Sequence, residues 1–200
     1  MSLILEVDIL NFDFTSLYNL YDVIIIDPPW NQGKTSLRKV RPNQQQFLDY
    51  TVLSKNNLKN LPIDKLGKEN SYLFLWVTNS KDRNTKEPII KIGFELLECW
   101  EYKYYTMLTW NKKTGVCPFG HFQITTEHVL FGYRSKYKPN PSKLGKYKTI
   151  FTETPKQHSR KPDCFYEMVN NLFEGRKLDL FGRYVRKGFD CINNIIIKKE

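Results

Sequence analysis

The chain has 200 residues, 40% of them hydrophobic, with 31 Lys and Arg against 21 Asp and Glu for a net charge of +10. That length suffices for one sizeable core, and no run approaches the roughly 18 apolar residues a membrane helix needs, so we expect a single soluble domain over residues 1–200. The first residues lack the basic, apolar, small-residue progression of a secretory signal, and Cys99, Cys117, Cys164 and Cys191 lie far apart without a C-x-x-C pair, so reduced thiols in a cytoplasmic protein, or a nuclear one in a eukaryote, are expected.

In chain order, Leu3 to Ile9 and Tyr21 to Ile26 read as strands, and Asn31 to Gln46 is polar with few apolar anchors, the pattern of a mobile loop. Asn56 to Leu66 reads as a short helix and connection, Tyr72 to Val77 as a buried strand, Lys86 to Ile92 as a helix and Tyr104 to Trp110 as a strand. A Gly-rich turn near Gly115 to Gly120 precedes a strand from Glu127 to Tyr133. Asp163 to Phe173 is an amphipathic helix with Phe165, Tyr166, Val169 and Leu172 inward; Lys177 to Phe181 is a strand, and Ile192 to Ile197 closes the sheet. This alternation predicts an α/β fold of βα units.

The most informative stretch is Val23-Ile24-Ile25-Ile26-Asp27-Pro28-Pro29-Trp30. The β-branched run suits a strand buried on both faces, and two prolines without N–H groups must end it, which leaves Asp27 at the strand's carboxyl end. In an open α/β sheet that edge is where ligands bind. A stiff loop with an acceptor-only carboxylate, proline carbonyls and an indole suits a planar ring with an exocyclic amine, adenine or cytosine: Asp27 and the Pro28 carbonyl would take the amine's two N–H bonds while Trp30 stacks on the ring. Drawing those protons out of plane moves the nitrogen toward the sp³ geometry it needs to attack an electrophile. The competing reading is a plain turn with a core tryptophan.

The excess of basic charge favours a polyanionic partner. Basic residues gather at Lys34 to Arg41, at Lys81 to Lys86, and from Arg134 through Lys148, where Tyr133, Tyr137 and Tyr147 are interleaved; the alternative is a solvated lysine-rich surface. Gly33-Lys34-Thr35 resembles the end of a phosphate-binding loop, but the glycine that motif requires at position 28 is a proline. His121, His128, His158, Cys117 and Cys164 match no zinc spacing, so no metal is expected.

Taken with Asp27-Pro28-Pro29-Trp30, the segments Asp49-Tyr50-Thr51, Leu73 to Asn79, Leu108 to Lys112, Gly120-His121-Phe122, Glu127 to Leu130, Ser159 to Asp163 and Leu178 to Arg183 resemble, in order, the S-adenosylmethionine-dependent adenine-N6 methyltransferases with the Asp-Pro-Pro-Trp signature. The resemblance implies a Rossmann-like class I methyltransferase sandwich: a mixed, mostly parallel sheet with helices on both faces, and the signature loop ahead of the cofactor segment. It implies methyl transfer from S-adenosylmethionine to N6 of adenine in nucleic acid, DNA before RNA because the chain is compact, with a noncatalytic binding subunit as the other class of reading and a dimer or partner subunit in view.

By the same resemblance, Asp27, Pro28, Pro29 and Trp30 are catalytic. Asp8 and Ile9 would cup the cofactor adenine, Asp27 would meet its amino group, Lys161 its carboxylate, Phe181 and Gly182 its backbone-lined wall, Arg183 its ribose and Asn194 its adenine. Trp30, Tyr50, Trp76, Asn79 and Lys112 would face the methyl acceptor. Several have a plainer alternative: Asp8 a turn acid, Lys161 a surface lysine, Phe181 to Arg183 a strand-to-turn exit, Asn194 a turn residue at a strand end, and Tyr50 and Trp76 core aromatics.

Overall fold

The computed structural model describes residues 2–32, 52–113, 124–136, 138–139, 144–156 and 160–194. Among these, eight strands form one sheet in the order β1-β8-β7-β2-β3-β5-β4-β6. The strands are β1 Ile4–Val7, β2 Tyr21–Ile26, β3 Gly67–Val77, β4 Lys103–Asn111, β5 Thr126–Arg134, β6 Ile150–Thr152, β7 Lys177–Leu180 and β8 Asp190–Asn194, and the helices α1 Lys55–Lys59, α2 Ile63–Leu66, α3 Ile89–Cys99 and α4 Asp163–Leu172. Only β5 runs against its neighbours, pairing antiparallel with both β3 and β4; every other pairing is parallel.

Side chains alternate across a strand, so β2 and β3 feed two cores. Ile24, Ile26, Leu73, Leu75 and Val77 pack with Leu58, Ile63, Leu66 and the α3 residues Ile89, Ile92, Leu96 and Leu97 on one face. Val23, Ile25, Phe74 and Trp76 meet Phe165, Tyr166, Met168, Val169 and Leu172 of α4 on the other. Val23 to Ile26 are wholly buried; each such side chain contributes about 1.5–3 kcal/mol relative to exposure, before the entropy of ordering the chain. Gly93 lets α3 lie close on the sheet, since a Cβ there would come within 2.7 Å of Val77 Cγ1 and 2.9 Å of Leu130 Cδ1.

Several boundaries differ from the sequence expectation. The helix expected from Lys86 starts at Ile89, because Lys86 has φ +61° and Pro88 sits at the N-cap. The last paired strand is Asp190–Asn194, earlier than expected, and residues 195–200 lie outside the described residues. The three-residue edge strand β6 escapes periodicity, which needs a longer run. The polar loop beyond Gln32, the Gly115 to Gly120 turn and the Lys34 to Arg41 cluster lie outside the described residues. Within the basic stretch from Arg134, Tyr133 is buried and Arg134 is committed to the Asp64 carbonyl and Glu101, so its first members serve the fold. Among the described residues no helix is long and apolar enough to cross a membrane.

Candidate active site

The parallel strands end on one edge, and the chain places its chemistry there. Asp8 follows β1, Asn194 ends β8, Phe181 follows β7, Asp27 follows β2, Asn79 lies two residues beyond β3 and Lys112 follows β4, while antiparallel β5 starts from the same edge with Thr126 and Glu127. A cleft of about 270 Å³, including its open mouth, is lined there by Asp27, Lys161, Tyr166, Asp179, Phe181, Gly182, Arg183, Tyr184 and Arg186.

Lys161 lies at the centre. Its ammonium pairs with Asp27 Oδ1 at 2.9 Å and Glu127 Oε2 at 3.0 Å, and sits 5.0 Å from the centre of the Trp76 ring. Lys112 pairs with the other Glu127 oxygen. Burial lowers the pKa of Lys161, but the two carboxylates outweigh it and raise the value above the ordinary lysine range. Burial works the other way on Glu127, where Lys161 and Lys112 prevail and hold its carboxyl at about 2. Asp27 shares Lys161 with Glu127 and is buried more than it is compensated, so its pKa is raised.

Behind them, Asp179 points from β7 into the cleft at 2% exposure. Burial lifts its pKa to about 7, against the pull of the Tyr166 hydroxyl and Arg186. Its Oδ1 has no hydrogen-bond partner among the described residues. The backbone turns sharply beside it: Phe181 has φ +68°, a conformation costing a non-glycine residue about 1–3 kcal/mol. At Gly182 a Cβ would fall 2.7 Å from the Asp179 carboxyl carbon and 3.0 Å from Cys191 Sγ.

The structure thus brings Asp27, Lys161, Phe181, Gly182 and Arg183 to one cleft. Asp8, Ile9 and Asn194 form a second group on the outer strands, joined by the bond from Ile9 N–H to Asn194 Oδ1 at 3.1 Å. Asp8 also accepts from Leu10 N–H and the Asn11 amide, the turn-acid arrangement. Ile9 is 1% exposed and packs in the core, so its side chain offers little surface to a ligand.

The acceptor-side expectation needs correction at the tryptophans. Trp30 is 4% exposed and its indole Nε1 donates to the Trp76 carbonyl at 3.0 Å. Trp30 belongs to the buried cluster that includes Ile26, Leu53 and Leu75 and so offers a base almost no exposed face, as the core-tryptophan alternative has it. Trp76, 1% exposed, is a core aromatic too, edge-on to Trp110 and Phe165. Asn79 is engaged by Thr126 and His128, Lys112 by Glu127, and Tyr50 lies outside the described residues.

Residues given no site role from the sequence are Glu127, Asp179, Tyr166 and Arg186, although Glu127 and Asp179 lie inside segments that carried the resemblance. Asp179 carried a usable signal, an acid between two leucines in a strand, the same anomaly that marks Asp27; Glu127 carried none beyond its place in a resembling segment.

Sheet order, edge and cleft define a Rossmann-like α/β fold of the class I methyltransferase type. The MT-A70 family model matches residues 21–194, and the chain belongs to that family. It is 28% identical over 174 residues to the N(6)-adenosine-methyltransferase MT-A70-like of Arabidopsis thaliana, covering 82% of this chain and 22% of the relative. It is 28% identical over 193 residues to the human N(6)-adenine-specific methyltransferase METTL4, covering 89% of this chain and 38% of the relative. To the type II methyltransferase M.MunI of a Mycoplasma it is 25% identical over 186 residues, covering 85% of this chain and 75% of the relative. The chain therefore spans well under half the length of the first two.

Proposed function

We propose that this protein transfers a methyl group from S-adenosylmethionine to the N6 amine of adenine in nucleic acid, DNA before RNA, as a cytoplasmic enzyme acting alone, as a dimer or with a partner subunit. The observation that carries the reading is the placement of Asp27, on a proline-stiffened turn at the sheet edge, beside Lys161 and the Phe181–Arg183 turn in one cleft. The family membership and the coverage of the M.MunI methyltransferase support it.

The donor set fits the cofactor. Lys161 would take its carboxylate, Asp27 and the unpartnered Asp179 Oδ1 its ammonium, and Arg183 would lie beside its ribose, with Asp8 and Asn194 further along the edge for its adenine. When bound, S-adenosylmethionine supplies a sulfonium methyl open to in-line attack. Asp27 accepts one N–H of the incoming amine. The Pro28 carbonyl already accepts from Trp30 N–H at 2.8 Å and has a second lone pair for the other. Both contacts strengthen as the nitrogen becomes sp³, and the proton that becomes acidic after transfer passes to Asp27 or to water. Trp30 serves by fixing the turn from within the core.

Purified protein with labelled S-adenosylmethionine should mark adenine N6 in single-stranded DNA, duplex DNA or RNA, with the three compared directly. Asp27→Ala should abolish the mark while circular dichroism stays unchanged. Full single-turnover activity in that variant would refute the amine contacts. Calorimetry with S-adenosylhomocysteine separates a catalyst, which binds it, from a scaffold that does not.

A further inference from the structure

The signature turn is gripped from two sides. On one, Leu53 N–H donates to the Pro29 carbonyl at 3.0 Å and Leu53 bridges Trp30 in parallel fashion. On the other, Gln32 bridges Asp82 antiparallel, Arg83 N–H donates to the Asn31 carbonyl at 2.7 Å, and Thr78 Oγ1 donates to Gln32 Oε1 at 3.0 Å. The second grip comes from a turn between β3 and α3 whose shape depends on one buried acid. Asp82, 5% exposed, accepts at Oδ1 from Asn84 N–H at 2.9 Å, Thr85 N–H at 2.8 Å and Thr85 Oγ1 at 3.2 Å. Its own backbone closes the turn, with Asp82 N–H donating to the Glu87 carbonyl at 2.9 Å and Lys86 N–H to the Asp82 carbonyl at 3.0 Å. The turn holds Lys86 at φ +61°, a strain that something must offset.

The two grips are also joined to each other. Glu87, at the end of the turn, pairs with Lys55 at 2.8 Å, and Lys55 stands two residues beyond Leu53 at the start of α1. The signature turn is thus enclosed by a ring of contacts running from Leu53 through Lys55, Glu87 and Asp82 to Gln32.

We infer that Asp82 is a positioning residue for methyl transfer: by shaping the 82–87 turn it fixes Asn31 and Gln32, and through them the Pro28 carbonyl and Asp27. The kinetic part of this inference rests on the methyl-transfer reading; the mechanical part does not. A carboxylate that only accepts hydrogen bonds can be replaced by the amide oxygen of asparagine, whereas alanine leaves three donors without their acceptor.

The test compares Asp82→Ala, Asp82→Asn and Thr78→Val by backbone amide exchange, steady-state kinetics and thermal melting. Asp82→Ala should speed exchange at Asn31, Gln32 and Arg83. It should lower kcat by about tenfold or more, as expected when reacting groups are misplaced by a fraction of an ångström, and raise KM for S-adenosylmethionine by a smaller factor, because Asp27 also faces the cofactor. Asp82→Asn should restore both readouts. Thr78→Val, which keeps the side chain's volume, should loosen Gln32 and lower kcat to a smaller degree; if Asp82→Ala does not fold, Thr85→Val, which removes the hydroxyl donor to Asp82 Oδ1, decides the matter by the same readouts. Wild-type exchange and kcat in the alanine variant, or a kcat loss that merely follows the unfolded fraction, would overturn the inference. An inactive wild type would instead refute the methyl-transfer reading, and amide exchange would still judge the brace.

Discussion

Replacing Trp30 with phenylalanine separates a core tryptophan from a base-stacking one. Phenylalanine keeps an aromatic face but has no N–H, so the bond from Trp30 Nε1 to the Trp76 carbonyl, 3.0 Å long and buried, is lost. Depriving a buried carbonyl of a donor costs about 1–3 kcal/mol, and the smaller ring leaves a void worth of order 1 kcal/mol more. The sum, about 2–4 kcal/mol, corresponds to a fall in Tm of about 5–15 °C for a chain of this size. Paired thermal and urea melts at neutral pH give the number directly, and steady-state kinetics below the transition give KM for nucleic acid. The reasoning fails if Tm stays at the wild-type value while that KM rises, because that is the signature of a stacking platform with no structural duty.

Three further outcomes are expected. Asp179 holds its proton in the native state up to about pH 7, whereas the unfolded chain releases it near the ordinary value of 3.8. The native state therefore binds more protons between these values, and stability falls as pH rises through that window and levels off above it. Asp179→Asn should flatten that fall, checked by urea midpoints at about pH 5 and about pH 8. Gly182→Ala places a methyl 2.7 Å from the Asp179 carboxyl and should abolish S-adenosylhomocysteine binding by calorimetry, with far-ultraviolet circular dichroism retained. Glu87, whose pairing with Lys55 and Lys91 holds its carboxyl at about 2, contributes stability that is present above the ordinary glutamate range and is lost as pH falls toward 2. Glu87→Gln should then be less stable than wild type at neutral pH, with the difference vanishing in acid and shrinking in high salt.

Local chemistry alone determined much of this protein. The β-branched run before Asp27 could only be a buried strand, the prolines could only end it, and Asp27 had to emerge at a sheet edge; β2 spans Tyr21–Ile26 as that pattern requires. The helix at Asp163 was equally legible, because its apolar residues recur at helical spacing.

Only the tertiary structure decided what those residues meet. Lys161 and Glu127, 34 positions apart, share an ion pair because antiparallel β5 begins at the edge where α4's leading loop arrives, and no spacing rule encodes that. Asp82 shapes the signature turn from across the chain for the same reason. Trp30 reads in sequence as either a stacking ring or a core ring, since an indole suits both; the choice fell to the Trp76 carbonyl and the apolar walls that the folded sheet places around it. Periodicity records which face of an element is buried, whereas the partner of a polar group depends on strand order, which is settled only when the whole sheet assembles.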